Sequence, residues 1–259
     1  MTDICISIKN IDFFYDRHKV YEQFSLDISR NDIFFIMGVN GCGKTTLLKI
    51  IGSFLKVNAG NVEVENKQID QYENKTFSKI IAYVPQTIHL NSDLLVKDYL
   101  AMGRTPYKNF YASIDDQDYK IVEKYAIELG IESLLDVDFN TLSGGQKQNV
   151  AICRALVQET PIIIMDEPMS ALDLGKQAEF LSLILKLKKE GKTIILTSHN
   201  PNHALALESE SRVCLIDRGT ILGIGSPVQV LNEENIHKLF GSAVKVDTST
   251  NTVGFNIRK

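Results

Sequence analysis

The chain has 259 residues, 44% of them hydrophobic and 23% charged, with a formal net charge of −4. That balance suits one large globular domain with a substantial core and offers no overall basic field to nucleic acid, which is not expected as a partner. No apolar run approaches the ~20 residues of a membrane span, and the start, "MTDICISIKN", has no basic stretch leading into an apolar one, so no signal peptide is expected. The four cysteines, Cys5, Cys42, Cys153 and Cys214, are scattered without a C-x-x-C pair. Disulfides and a zinc site are therefore not expected, and a reducing cytosol fits.

In chain order, the first 85 residues read mostly as strands: "ICISIKN", "IDFFY", "FSLDI", "IFFIM" and "NVEVE" are short, β-rich and separated by polar or glycine-containing breaks. A helix from Lys44 to about Gly52 interrupts them. From Asp93 to Leu135 the pattern becomes helical, with "VKDYLAMG" and "DYKIVEKYAIELG" placing apolar residues three and four apart. After Gln146, helix and strand alternate: "QKQNVAICRALVQ" helix, "PIIIM" strand, "KQAEFLSLILKLKKEG" helix, then strands "TIILTS" and "RVCLID". Alternation of this kind implies a parallel sheet covered by helices. Two strand runs are expected after a helical stretch around "PVQVLNEENIHKLF". The polar tail, 241–259, either forms a hairpin or stays loose. The expected fold is α/β, with an antiparallel N-terminal β part and an inserted α-helical part.

Gly38 to Thr46, "GVNGCGKTT", fits G-x-x-x-x-G-K-[ST] through Gly38, Gly43, Lys44 and Thr45, with a strand before it and a helix after it. Glycines there let backbone N–H groups converge on phosphate, and the helix N-terminus adds partial positive charge. Lys44 would hold the β- and γ-phosphates of ATP and the Thr45 hydroxyl would bind Mg²⁺. Cys42, inside this loop, is either a site of alkylation or oxidation or simply a small tolerated residue; the second reading is preferred. "PIIIMDEP" ends a buried strand with Asp166 and Glu167, where Asp166 can reach Mg²⁺ and Glu167 can polarise the attacking water. Successive strand residues point opposite ways, so the two carboxylates are given different roles.

A second phosphate-like stretch, "TLSGGQKQ", lies 99 residues beyond Lys44 at Ser143. Ser143 and Gln146 make a capping box for the helix that follows. The box does not account for Gly144 and Gly145, which weaken a first helical turn but let an anion approach bare N–H groups.

Taken together, the chain resembles the ATP-binding subunit of an ATP-binding-cassette (ABC) transporter, up to about Phe240. Six motifs carry the resemblance: the phosphate loop, Pro85–Gln86, "LSGGQ" at Leu142–Gln146, "IIIMDEP", "SALD" at Ser170–Asp173, and "TSHN" with His199. The resemblance implies a P-loop NTPase core of RecA type spanning 1–240, with a helical subdomain inserted at about 87–158. It implies ATP and Mg²⁺ as ligands. Nucleotide contacts would come from Tyr15 and from Gly38, Asn40, Gly41, Cys42, Gly43, Lys44, Thr45 and Thr46. Ser143, Gly144, Gly145 and Gln146 would contact the nucleotide held by a second copy packed head to tail. Thr45, Gln86 and Asp166 would hold the metal. Lys44, Gln86, Glu167 and His199 would serve hydrolysis. Tyr15 would stack on adenine, although strand-core packing is an alternative because Phe13 and Phe14 offer other registers. Asp173 would couple the two sites, or merely cap a helix. Asn149, Met169 and Asn200 stand where the family usually carries other residues; none of them is a phosphate or metal ligand.

"LLVKDYLAMGRTPY", "SHNPNHAL" and "GSPVQVL" are similar to the branch that imports iron chelates, haem and vitamin B12. That implies a peripheral subunit on the cytoplasmic face of the membrane. Two copies would serve a transmembrane permease and, indirectly, an extracytoplasmic binding protein. Arg104 and Tyr107 are expected as surface contacts to the permease. A zinc or manganese importer is the nearest alternative, and a soluble ABC ATPase of iron–sulfur cluster assembly is another. A DNA-repair ATPase is disfavoured because no long coiled-coil insertion precedes LSGGQ.

Overall fold

The computed structural model describes residues 3–88, 90, 93–109, 112–247, 250 and 252–255. Strands β1 (Ile4–Tyr15) and β2 (His18–Ser29) pair antiparallel as a long hairpin. The two strands expected at 4–10 and 11–15 are thus one. Ile8 and Ile11 are both buried although three residues apart, and a register shift between them, with Asn10 at φ 49°, absorbs the odd residue. Strand β3 (Ile33–Met37) is buried at all five positions and feeds helix α1 (Lys44–Ile51). Strands β4 (Ala59–Val64) and β5 (Lys67–Gln68) complete an antiparallel sheet of order β2-β1-β4-β5. Helix α2 (Asn74–Phe77) leads into β6 (Ile81–Val84).

Helices α3 (Val96–Ala101), α4 (Asp116–Glu128) and α5 (Gly144–Val157) follow. Their inward residues, among them Val96, Tyr99, Val122, Ala126, Val150 and Cys153, close a hydrophobic cluster together with Phe139 from the connection before α5. The chain then alternates: β7 (Ile162–Met165), α6 (Leu174–Lys189), β8 (Thr193–Ser198), α7 (Pro201–Leu205), β9 (Ser211–Asp217) and β10 (Thr220–Gly225). Helices α8 (Pro227–Val230) and α9 (Glu233–Phe240) precede the antiparallel pair β11 (Val244–Asp247) and β12 (Thr252–Phe255).

The central sheet has the order β10-β9-β3-β8-β7-β6, parallel from β9 to β6 with β10 antiparallel at the edge. Strands β3, β7 and β8 are buried at every position, as strands covered on both faces require. Ile33, Phe35 and Met37 of β3 join Ile163, Ile194 and Leu215 in a core under α5 and α6. Phe34 and Ile36 join Ile164, Ile195 and Ile216 in a second core shared with α1 and the antiparallel sheet. This packing holds the C-terminal ends of β3, β7 and β8 side by side, and the candidate site is built on those ends.

Candidate functional site

The loop between β3 and α1 is shaped by close approach. A Cβ added to Gly38 would lie 2.2 Å from the Ile216 carbonyl oxygen; one added to Gly43, at φ 111°, would lie 2.7 Å from the Tyr21 hydroxyl oxygen. The Tyr21 hydroxyl donates to the Gly43 carbonyl at 2.9 Å and so fixes where α1 starts. Gly43 is the N-cap of α1 and provides no side-chain cap, which leaves the first-turn N–H groups as anion donors. Lys44 is nearly buried; its Nζ donates to the carbonyls of Gly38 at 2.9 Å and Val39 at 3.2 Å, and lies 3.9 Å from Glu167 Oε1.

At the end of β7, Asp166 and Glu167 are both buried. Glu167 has φ 47°, an uncommon backbone conformation for a residue with a side chain, held by Ser170, whose N–H and hydroxyl both donate to the Glu167 carbonyl. Thr197, on the neighbouring β8, fixes the pair from the side. Its hydroxyl donates to Asp166 Oδ1 at 2.7 Å and accepts from the Glu167 N–H at 2.7 Å. Two residues on, His199 points back to the same place, with Nδ1 2.9 Å from Glu167 Oε2. Thr197 escaped the sequence reading because a Thr inside "TIILTS" looks like any β-branched strand residue.

These elements border a cleft of about 530 Å³ lined by Tyr15, His18, Val20, Asn40, Gly41, Gly43, Lys44, Thr45, Thr46, Gln86, Glu167 and His199. Tyr15 is 46% exposed and rests edge-on against Phe13 at 5.0 Å, while Phe13 takes the buried position, so Tyr15 is not a core residue. His18 and Val20 were missed; reading "YDRHKV" as a hairpin turn would have set His18 opposite Tyr15, its partner in the strand register. Gly38, Cys42 and Asp166 are not among the lining residues. Cys42 is buried and desolvation raises its thiol pKa, which fits the small-residue reading rather than a reactive thiol.

The stretch Ser143–Gln146 is not among the residues lining that cleft. It opens α5 with both arms of the capping box made: the Gln146 N–H donates to Ser143 Oγ at 3.3 Å and the Ser143 N–H to Gln146 Oε1 at 2.9 Å. Ser143, Gly144 and Gln146 are exposed. A Cβ on Gly144 would meet nothing within 4 Å, whereas one on Gly145 would lie 3.3 Å from the Ala171 carbonyl oxygen. Packing within the chain therefore gives no reason for glycine at 144.

Arg104 is a correction. It is buried, not a surface contact: Nη1 donates to the Val157 carbonyl and to Glu159, each at 2.9 Å, and Nε lies 3.5 Å from Asp118. The sequence shows the charge but not partners up to 55 residues away that draw it inward. Tyr107 is 37% exposed, with its hydroxyl donating to the Gln158 carbonyl. Asp173 caps α6 through the Lys176 N–H, Asn200 caps α7 through the Asn202 N–H, and Met169 is buried in the core.

The metal donors expected from the sequence are hard oxygens: the Thr45 hydroxyl, the Gln86 amide oxygen and the Asp166 carboxylate. Among the described residues no cluster of three or more His, Cys, Asp or Glu could hold a metal alone. That donor set suits Mg²⁺, which is held by one or two protein oxygens together with substrate phosphates.

A model of the ABC transporter family matches residues 21–170. The chain is 32% identical over 248 residues to the iron(3+)-hydroxamate import ATP-binding protein FhuC of Bacillus subtilis, across 95% of this chain and 91% of that one. It is 33% identical to a probable iron chelatin transport ATP-binding protein of Helicobacter pylori, across 93% and 94% of the two. Among solved structures it is similar to a metal-chelate type ABC transporter in an inward-facing conformation, with a TM-score of 0.79, 30% identity, and coverage of 92% of this chain and 89% of that one.

Proposed function

The chain belongs to the ABC transporter family, and we propose that it is the ATP-hydrolysing subunit of an importer for an iron chelate, haem or cobalamin-type substrate. The cleft that gathers Lys44, Thr45, Gln86, Glu167 and His199 around one space carries the reaction; similarity to iron-chelate import subunits along nearly the whole chain supports the substrate class.

Lys44 exchanges its carbonyl partners for the β- and γ-phosphate oxygens of ATP, while the first-turn N–H groups of α1 hold the same anion. Tyr15 offers an exposed ring face for adenine. Thr45, Gln86 and Asp166 would hold Mg²⁺, which supplies charge neutralisation at the transferring phosphoryl group. Glu167 accepts a proton from the attacking water, and His199, in contact with its carboxylate, orients it and reaches toward the γ-phosphate. Ser143–Gln146 completes the donor set for nucleotide held by a second copy, so each reaction centre spans two chains.

A separate cleft of about 540 Å³, lined among others by Phe54, Phe77, Tyr83, Pro85, Arg154 and Gln158, is the surface we assign to the permease. Phe54 is 61% exposed beside it. No helix among the described residues is long and apolar enough to cross a membrane. In this reading the subunit sits peripherally on the cytoplasmic face, and the external binding protein is reached only through the permease.

The test is transport. Proteoliposomes carrying this chain, its permease and the binding protein should take up a ferric chelate, haem or cobalamin only with internal ATP. Zinc or manganese uptake without chelate uptake would replace the substrate class. ATPase activity that never responds to a permease would remove the importer reading.

A further inference from the structure

The loop that carries His199 is held by polar contacts whose residues, Ser198, His203 and Gln177, do not line the hydrolytic cleft. His203, on α7, is 8% exposed, and its ring bridges two segments. Its Nδ1 lies 2.9 Å from Ser198 Oγ, and its Nε2 lies 3.2 Å from Gln177 Oε1 on α6. Gln177 reaches in the other direction as well. Its Nε2 donates to the Leu172 carbonyl at 2.9 Å and to the Met169 carbonyl at 3.4 Å.

The Gln177 contacts favour one proton arrangement. Because the Gln177 amide nitrogen is committed to two carbonyls, its oxygen is the end that faces His203 and must accept. The hydrogen therefore sits on His203 Nε2, and Nδ1 accepts from the Ser198 hydroxyl. The Asn200 amide, 3.3 Å from the same Nε2, is then a neighbour and not a partner. Burial, with the nearby His199 charge, pushes the His203 pKa down to about 4, so the ring stays neutral near pH 7.

The route connects two surfaces. At one end, Ser198 is followed by His199, whose Nδ1 meets Glu167. At the other end, segment 169–172 includes the exposed Ser170 and Ala171, and the Ala171 carbonyl lies against Gly145 at the start of α5. We propose that Gln177 and His203 are positioning residues that tie segment 169–172 to the loop bearing His199, so that pressure from a second copy on that segment sets the geometry of the His199–Glu167 pair. This rests on the roles assigned above to Glu167, His199 and the second copy.

Steady-state ATPase kinetics of the full chain test it. His203→Gln keeps a donor where Nε2 stands; His203→Asn keeps only the group near Ser198 and cannot reach Gln177. Gln177→Leu cuts the route on a half-buried helix position, where folding is less at stake. The expected result is a fall in kcat of about tenfold for His203→Asn and Gln177→Leu. KM for ATP and binding of a fluorescent ATP analogue stay unchanged, and His203→Gln recovers most of the rate. The double variant should be no slower than the slower single one, since both cut the same link. Equal losses in His203→Asn and His203→Gln, a KM that rises in step with the loss, additive singles, or no loss at all would each overturn the proposal. Glu167→Gln, assayed alongside, separates the premises: if it hydrolyses ATP at the native rate, the reading of Glu167 fails whatever the relay variants do.

Discussion

Replacing Thr197 with Val removes one hydroxyl and little volume, and the structure says what that hydroxyl holds. Thr197 has no solvent exposure, so water cannot take over its bonds. The Asp166 carboxylate would lose a donor at 2.7 Å and the Glu167 N–H would lose its acceptor at 2.7 Å. A hydrogen bond to a charged group contributes about 1.5–3 kcal/mol, and an orphaned buried N–H costs about 1–3 kcal/mol. Together they give a destabilisation of about 3–5 kcal/mol, which at roughly 2–4 °C per kcal/mol is a melting shift of about 6–20 °C. Thr197→Ser is the control, because it keeps both bonds and loses only a methyl group, about 1 kcal/mol. Urea unfolding of the three proteins measures the difference directly, and ATPase rates should fall in the same order. If Thr197→Val is no less stable than Thr197→Ser, the bridge contributes nothing and the argument that β8 fixes the acidic pair is wrong.

Glu167→Gln should accumulate an ATP-bound dimer on sizing chromatography; monomer alone with ATP would count against the two-chain site. Ser143→Arg should abolish hydrolysis while leaving ATP binding at the Lys44 loop intact, and equal loss of both would remove the role in trans. For His203, the folded pKa of about 4 lies below the ordinary value of 6.5, so the unfolded chain takes up a proton first as pH falls. That loss of stability begins near pH 6.5 and grows toward pH 4, reaching about 3 kcal/mol; urea melts of His203→Gln across this window should lack that part of the slope. Burial raises the pKa of every thiol, Cys5 to about 11 and Cys214 to about 12. The native chain should therefore resist alkylation at neutral pH and release four reactive thiols in denaturant; fast labelling of Cys42 in the native state would contradict its packing.

What the sequence made legible was whatever is local. The phosphate loop was readable because its motif, its preceding strand and its following helix are contiguous. The buried strands β3, β7 and β8 were readable because a covered parallel strand is apolar on both faces. Strand β10, "TILGIG", was not, since its two glycines dilute the pattern and its pairing with β9 is a long-range fact. The register at Phe13–Tyr15 was ambiguous for a physical reason. Irregularities within β1 shift the alternation, so counting by twos from "ICISIKN" puts the wrong side chain outward. Arg104 misled because a charged residue is judged exposed until its partners are known. Asp118 comes from α4, and the Val157 carbonyl and Glu159 from the end of α5, far along the chain.

The two phosphate-like loops differ in what their glycines answer to. At Gly38 and Gly43 the chain itself forbids a side chain, because Ile216 and Tyr21 occupy the space. At Gly144 the chain forbids nothing, and the helix end it opens is already capped by Ser143 and Gln146 without any help from glycine. A residue that weakens a helix start without easing any internal contact is explained by something approaching from outside. The exposed face around it presents the N–H groups of a helix N-terminus, while Lys147 of the same turn donates to the Asn140 carbonyl. That face lies beside segment 169–172, which Gln177 and His203 join to His199. A donor set of that kind, set apart from the cleft that holds Lys44 and Glu167, is what a second chain would need to close over a nucleotide and report its arrival to the hydrolytic end.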